Sequence, residues 1–327
     1  MKKTLIALAL VVVLTLLCLT ACTPTVKIDP NKQEYTVGIC QLIQHPALDA
    51  ATQGFKDGLT EALAAEGRTV KFDEQNAQGD PDTCAQINST FAAKGVDLIL
   101  ANATASLTSA VSVTRNIPIL GTSITDYASA LNIKDWTGVA GGNVSGTSDL
   151  APLDKQAEMI VALFPTAKKV GLLYCSAESN SLYQVTEIAK MLNQKDIETK
   201  AFSFIDTSDL EAVTTQACAW SDVIYVPTDN VVANNATFID SICSAAKKPV
   251  VAGEEGVCKG CGVATLSIDY YQLGVITGKM AAEVLLGKKD ISTLAIATDA
   301  NPTYKYVASR CQEFGITIPE GYVAIEE

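Results

Sequence analysis

TVGICQLIQHPALDAATQGFKDGL, residues 36–59, carries in one stretch the two patterns that decide the fold. Thr36 to Ile43 is short, almost uninterrupted in apolar character and bounded by polar residues, as expected of a strand covered on both faces in a parallel sheet. After Pro46 the sequence turns helix-like, and His45, the chain's single histidine, sits at the junction. The same alternation recurs outward from this unit. Strand-like runs fall at 69–74, 96–101, 117–121 and 137–141, and again at 169–174, 199–205, 222–226, 249–252 and 263–266. Between the two sets, Leu150, Leu153, Ala157, Ile160 and Phe164 recur every three or four residues, which marks an amphipathic helix. Another helix, with Leu273, Ile276, Met280 and Val284 on one face, ends at Gly287 with Lys288 and Lys289 at its negative end. A strand at 305–308 and a short helix to Gly315 close the chain. A chain of 327 residues exceeds the size at which one core keeps growing. The expected fold class is therefore α/β, with two doubly wound parallel-sheet lobes joined by a hinge.

Lys2 and Lys3 precede an apolar run from Leu5 to Leu17 that ends in Leu19-Thr20-Ala21-Cys22. A charged start, an apolar middle and small residues before a cysteine form an export signal with a lipoprotein cleavage site. The run is shorter than the ~20 apolar residues a membrane span needs. Residues 1–21 are thus expected to be a signal peptide, Cys22 the lipidated residue, and 22–34 a tether holding the body to the outer face of a bacterial cytoplasmic membrane or in a periplasm. The net charge of −12 becomes −14 once Lys2 and Lys3 are removed, which argues against nucleic acid as a partner. Eight further cysteines mostly lie within apolar runs, where cysteine acts as a small hydrophobe. Cys258 and Cys261 form a CxxC with no second metal-ligating pair, so a local disulfide or two idle thiols are expected and no metal site.

In open parallel sheets, ligands bind beyond the carboxyl ends of the strands. Those positions read QLIQHPALD, NATAS, GTSITD and GGNVSGTSD in the first half, and YCSAESNS, YVPTDN and VAGEEG in the second. Hydroxyls, amides and carboxylates dominate, with helix starts behind them. Free N–H groups there can cradle a carboxylate, while Asp229 and Glu254 could face an ammonium group. Any one of these residues could simply cap a helix; the convergence of seven loops from both lobes favours a zwitterion site. Thr104, Ser106, Thr122, Ser123, Ser179 and Asn180 join the candidates on this argument.

An enzyme would need a catalytic constellation. With one histidine, a nucleophile–histidine arrangement could rest on His45 alone, and neither a GxSxG elbow nor a phosphate-binding glycine loop follows a strand. Binding without chemistry and without a cofactor is expected.

HPALDAATQGFKDGL, GTSDLAP, YVPTDN, GEEG and IDYYQLG, in that order, make the chain resemble the substrate-binding lipoproteins of ABC importers that take up aromatic amino acids, over essentially everything from residue 35 onward. The resemblance implies a type I periplasmic-binding fold with three crossing strands. Lobe one would be 35–145 plus 271–298, and lobe two 146–270 plus 299–327. It also implies site roles for His45, Ser148, Asp149, Asp229, Asn230 and Glu254, and a monomer that hands a small-molecule ligand to a membrane ABC permease. The sequence departs from the relatives after GEEG, where VCKGCG replaces a stretch usually glycine-rich and free of cysteine. The ligand implied is an aromatic or other hydrophobic amino acid. A sugar, nucleoside or signalling molecule on the same fold, or a sensory module, are the alternatives. An apolar slot including Tyr127 or Tyr183 would select the side chain.

Overall fold

The structure, a computed structural model, describes residues 26, 28–299 and 301–326. The signal-peptide and Cys22 expectations lie outside these residues. In chain order the first half comprises β1 (Glu34–Gln41), α1 (Pro46–Ala64), β2 (Thr69–Asn76), α2 (Pro81–Lys94), β3 (Leu98–Asn102), α3 (Thr104–Val113), β4 (Ile119–Ile124), the one-turn α4 (Tyr127–Ala130) and β5 (Val144–Ser148). The second half comprises α5 (Leu153–Leu163), β6 (Lys169–Cys175), α6 (Ser179–Asn193), β7 (Glu198–Phe204), α7 (Leu210–Trp220), β8 (Val223–Val226), α8 (Asn230–Asn234), α9 (Ala236–Ala245), β9 (Val250–Ala252), α10 (Glu255–Cys261) and β10 (Ala264–Ser267). There follow α11 (Tyr270–Leu285), β11 (Ala297–Thr298), β12 (Thr303–Tyr306), α12 (Ala308–Glu313) and β13 (Val323–Ala324).

The strands form two sheets, ordered β11-β5-β4-β3-β1-β2 and β13-β12-β10-β9-β8-β6-β7. Pairing is parallel except between β10 and β12. The near-continuous apolar runs are explained by helices on both faces. Leu98 and Leu100 of β3 pack with Phe55 and Leu59 of α1, whereas Ile99 and Ala101 pack with Phe91 of α2 and Leu107 of α3. In the second sheet Val223 and Tyr225 face one side and Ile224 and Val226 the other. The chain passes between sheets three times: after β5, after β10, and between β11 and β12. β5 stays in the first sheet to Ser148, beyond the 145/146 boundary implied by the resemblance.

Two strand expectations are corrected. Residues 137–141 form no strand: Gly138 and Gly141 adopt φ of 86° and 78°, a left-handed conformation that breaks a pleated run, and the place beside β4 is taken by β5. The late strand lies at 303–306 rather than 305–308, because Thr303 to Tyr306 pair antiparallel with β10 and Val307 is then the cap of α12.

α11 returns to the first lobe and packs on α1 through glycines on both helices. A Cβ on Gly54 would lie 2.0 Å from the carbonyl oxygen of Tyr271, and one on Gly274 would lie 2.1 Å from that of Ala51. Gly58 and Gly278 are similarly crowded by the opposite backbone. The two helices thus touch backbone to backbone, and the passage after β10 is anchored rigidly to lobe one.

All eight described cysteines are buried. Burial pushes the Cys258 thiol well above its ordinary value and Cys261 up to about 12, so neither is a ready thiolate. A chain lacking residues 1–25 should therefore react with a thiol-specific dye at fewer than about one site when native and at several more, Cys258 and Cys261 among them, in denaturant. Rapid native labelling at Cys258 or Cys261 would contradict this.

Candidate functional site

The cleft between the sheets contains a small polar cavity of about 20 Å³, enclosed by the ends of β4, β5, β8 and β9 and the starts of α1, α6 and α8. Lobe one brings His45, Leu48, Ser123, Thr125 and Asp149 to it, and lobe two brings Asn180, Thr228, Asp229, Asn230 and Glu254. Tyr270, at the second passage between sheets, completes the wall.

Local sequence places each group. Pro46 starts α1 and leaves His45 extended, at φ −159°, with no side-chain bond to the helix it precedes. The ring instead crosses the cleft, with Nε2 3.1 Å from Asn230 Oδ1. Asn230 Nδ2 donates to Glu178 Oε2 at 2.7 Å, which turns the amide oxygen toward His45 and makes Nε2 the protonated ring nitrogen. Burial lowers the His45 pKa and keeps the imidazole neutral. Nδ1, which has no partner, is then an acceptor. A second bridge between lobes joins the Thr125 and Thr228 hydroxyls at 3.3 Å.

The ends of the paired strands β3 and β4 are strained. Ala103 and Ser123, the positions just after the paired Asn102 and Thr122, adopt φ of 88° and 57°, which non-glycine residues rarely accept. The bulge between Gly121 and Ile124 accompanies this turn, and the Ser123 hydroxyl is buried without a partner. Asp149 accepts from the Tyr270 hydroxyl at 2.9 Å through Oδ2, while Oδ1 is unpartnered. Three buried unsatisfied polar atoms, on His45, Ser123 and Asp149, therefore belong to residues lining one cavity. Such groups are rare in folded proteins and cost about 1–3 kcal/mol each unless something completes them.

Asp229 and Glu254 serve differently from the sequence reading. Asp229 accepts from the Cys175 and Val232 amides at 2.7 and 2.9 Å, and Glu254 from the Gly256 and Val257 amides, so both cap helix starts with both oxygens occupied. The lining carries no lysine or arginine. Burial, opposed by the Tyr270 bond, raises Asp149 to about 6; burial, opposed by the backbone bonds, raises Glu254 to about 7. Burial and then Asp229 raise Glu178 to about 8. Each folded-state value lies above that of a free carboxyl, so the stability these groups contribute is full below about pH 4 and is lost as pH rises through 6 to 8. The empty protein should melt at a higher temperature at pH 5 than at pH 8. A melting temperature that rises steadily from pH 5 to pH 8 would contradict this assignment.

Other candidates lie elsewhere. Thr104 and Ser179 line a neighbouring groove. Ser106 donates to the Cys40 carbonyl, Thr122 accepts from Thr147, and Ser148 donates to the Thr125 carbonyl, so these three hold the framework. Tyr127 is enclosed in the lobe-one core with its hydroxyl on the Thr147 carbonyl, and Tyr183 packs at the edge of the lobe-two core; neither lines the cavity. Thr125, Glu178, Thr228 and Tyr270 were within the quoted loops but not singled out. Their positions beside GTS, SN, DN and ID were the available signal.

Fold and cleft define a two-lobed ligand-binding protein of the type I periplasmic class, whose more distant solved members share the fold alone. The ABC transporter substrate binding protein family matches residues 36–325, and the chain belongs to it. It is the extracytoplasmic substrate-binding component that serves an ABC permease. It is 37% identical, over 80% of its length and 75% of the relative's, to the tyrosine-binding protein of Clostridioides difficile strain R20291. It is 32% identical, with a TM-score of 0.83, to the ABC domain of Streptococcus pneumonia in complex with L-Trp, covering 89% of this chain and all of that one. A ligand-free, open substrate-binding protein with adhesive properties from Clostridium difficile, also 32% identical, gives a TM-score of 0.69 over 89% and 99% of the two chains. Among the described residues no group of three or more His, Cys, Asp or Glu is placed to hold a metal ion, and no helix is long and apolar enough to cross a membrane.

Proposed function

We propose that the chain captures an aromatic L-amino acid between its lobes, unchanged chemically, and delivers it to the permease from a lipid anchor at Cys22. The observation that carries the reading is the acidic cavity without a basic residue, in which Asp149 Oδ1 lacks a partner. An ammonium group answers that charge, which a neutral sugar or nucleoside cannot do. The carboxylate end of the ligand would meet the buried, unpartnered Ser123 hydroxyl. The bridges His45–Asn230 and Thr125–Thr228 support closure as the bound arrangement, and the names of the tyrosine-binding and L-Trp-bound relatives support the aromatic class. We place the lobes on either side of the three passages between sheets.

Titration calorimetry on the chain lacking residues 1–22, against L-tryptophan, L-tyrosine, L-phenylalanine, L-leucine, glucose and adenosine, tests the ligand class. Heat with the sugar or nucleoside and none with the amino acids would end the reading. His45→Ala should weaken the bound amino acid about 3- to 10-fold, because one hydrogen-bonded bridge between lobes is lost. Unchanged affinity would remove His45 from the site.

A further inference from the structure

The central cavity is too small and too polar to hold an aromatic side chain as well as the amino-acid end: its apolar lining is Leu48, Ala233 and the Tyr270 ring. Two larger grooves adjoin it, both walled by the two lobes. One, of about 560 Å³, meets the cavity at Asn180 and presents Leu42, Ile43 and Ala105 from lobe one and Ala177, Ile205 and Val231 from lobe two. The other, of about 490 Å³, meets it at Ala233, Glu254 and Tyr270. Its apolar residues are interleaved with Glu255, Lys259, Asp269 and Lys305, and the last is paired with Glu255 at 2.5 Å.

The charges decide between them. A ring laid in the second groove would strip water from Lys259, for which no partner among the described residues compensates, and from the half-exposed Glu255–Lys305 pair. The first groove has two ionisable walls, and both are already engaged. Glu178 accepts from Asn180, Asn230 and Val231, and Asp206 accepts from Ser208 in its own loop. Ile205, just after β7, is 68% exposed although it borders this groove. Exposed isoleucine is stabilised by any apolar group that covers it.

We infer that the groove bordered by Ile43, Ala105, Ile205 and Val231 receives the side chain of the ligand, an aromatic ring, and that Ile205 closes over it. This rests on the amino-acid reading above. The groove selects by the apolar area a side chain fills, so L-tryptophan, L-tyrosine and L-phenylalanine should all bind at least about 10-fold more tightly than L-alanine.

The test compares variants by calorimetry with L-tryptophan and L-tyrosine, with the melting temperature of the empty protein as the control for folding. Ala105→Trp, which fills the groove from a half-buried helix position, should weaken both ligands about 100-fold. Ile205→Asp, at an exposed position that tolerates charge, should weaken both about 10-fold and stands in should the first variant fold poorly. Thr237→Trp, which fills the opposite groove, should leave both affinities within about twofold. The inference is overturned if Ala105→Trp and Ile205→Asp retain wild-type affinity, or if Thr237→Trp loses as much as Ala105→Trp. Wild-type protein that binds neither amino acid would instead overturn the proposed function.

Discussion

Replacing Asp149 by asparagine should weaken amino-acid binding by about 100-fold or more while raising the melting temperature of the empty protein at pH 7. Removing one partner of a buried charge pair costs about 2–5 kcal/mol, and a factor of ten corresponds to about 1.4 kcal/mol. The opposite sign for stability follows from the same carboxylate. Asp149 is 4% exposed, its pKa is raised to about 6 chiefly by desolvation, and in the empty protein no cation faces Oδ1. At pH 7 it is therefore ionised at a cost on the order of 1–3 kcal/mol, which a neutral amide that still accepts from Tyr270 would relieve. A bound ammonium group reverses the balance, because it favours the ionised form. Wild-type affinity should then fall about tenfold per pH unit below pH 6, as a proton must leave before the ligand is held. In Asp149→Asn that dependence should be absent between pH 5 and 6. Calorimetry at several pH values with differential scanning calorimetry of the empty proteins reads both effects. A variant that loses affinity and stability together would mark Asp149 as structural.

The second large effect concerns stability alone. Gly274→Ala should lower the melting temperature by about 6–12 °C, corresponding to about 3 kcal/mol in a chain of this size. The added methyl would stand 2.1 Å from the Ala51 carbonyl oxygen and 2.8 Å from the Phe55 amide nitrogen, and both are backbone atoms of α1 that no rotamer change can move. The helices must separate, and close packing against Phe55 and Leu59 is lost along the contact. Because α11 begins at the passage beside Tyr270, the separation should also loosen the hinge and weaken ligand binding. A loss of less than about 2 °C on scanning calorimetry would show that the contact yields more easily than its geometry indicates.

The alternation of apolar strands and helices, the doubling of that plan and the polar loops at strand ends are all legible in the sequence because they are local. A strand covered on both faces must be apolar at every position, and a helix on its surface at every third or fourth. His45, Ser123, Asp149, Asn180, Asp229, Asn230 and Glu254 were readable as a set for the same reason, since each follows a strand and precedes a helix start or a passage between lobes. Their division of labour was not. Asp229 and Glu254 look like ligand carboxylates in sequence, yet both oxygens of each are taken by backbone amides, and it is Asp149 that retains a free acceptor. Ser106, Thr122 and Ser148 have the same composition and position as the cavity residues but turn inward. Which way a hydroxyl or carboxylate points depends on neighbours tens of residues away, such as Tyr270 on Asp149 or Asn230 on His45, and no local pattern records them. The sequence by itself determined the layers, the two lobes and the location of the cleft, through periodicities written within each segment. The tertiary structure alone decided which polar atoms remain unsatisfied there, because satisfaction of a buried group is a property of pairs that only the fold brings together.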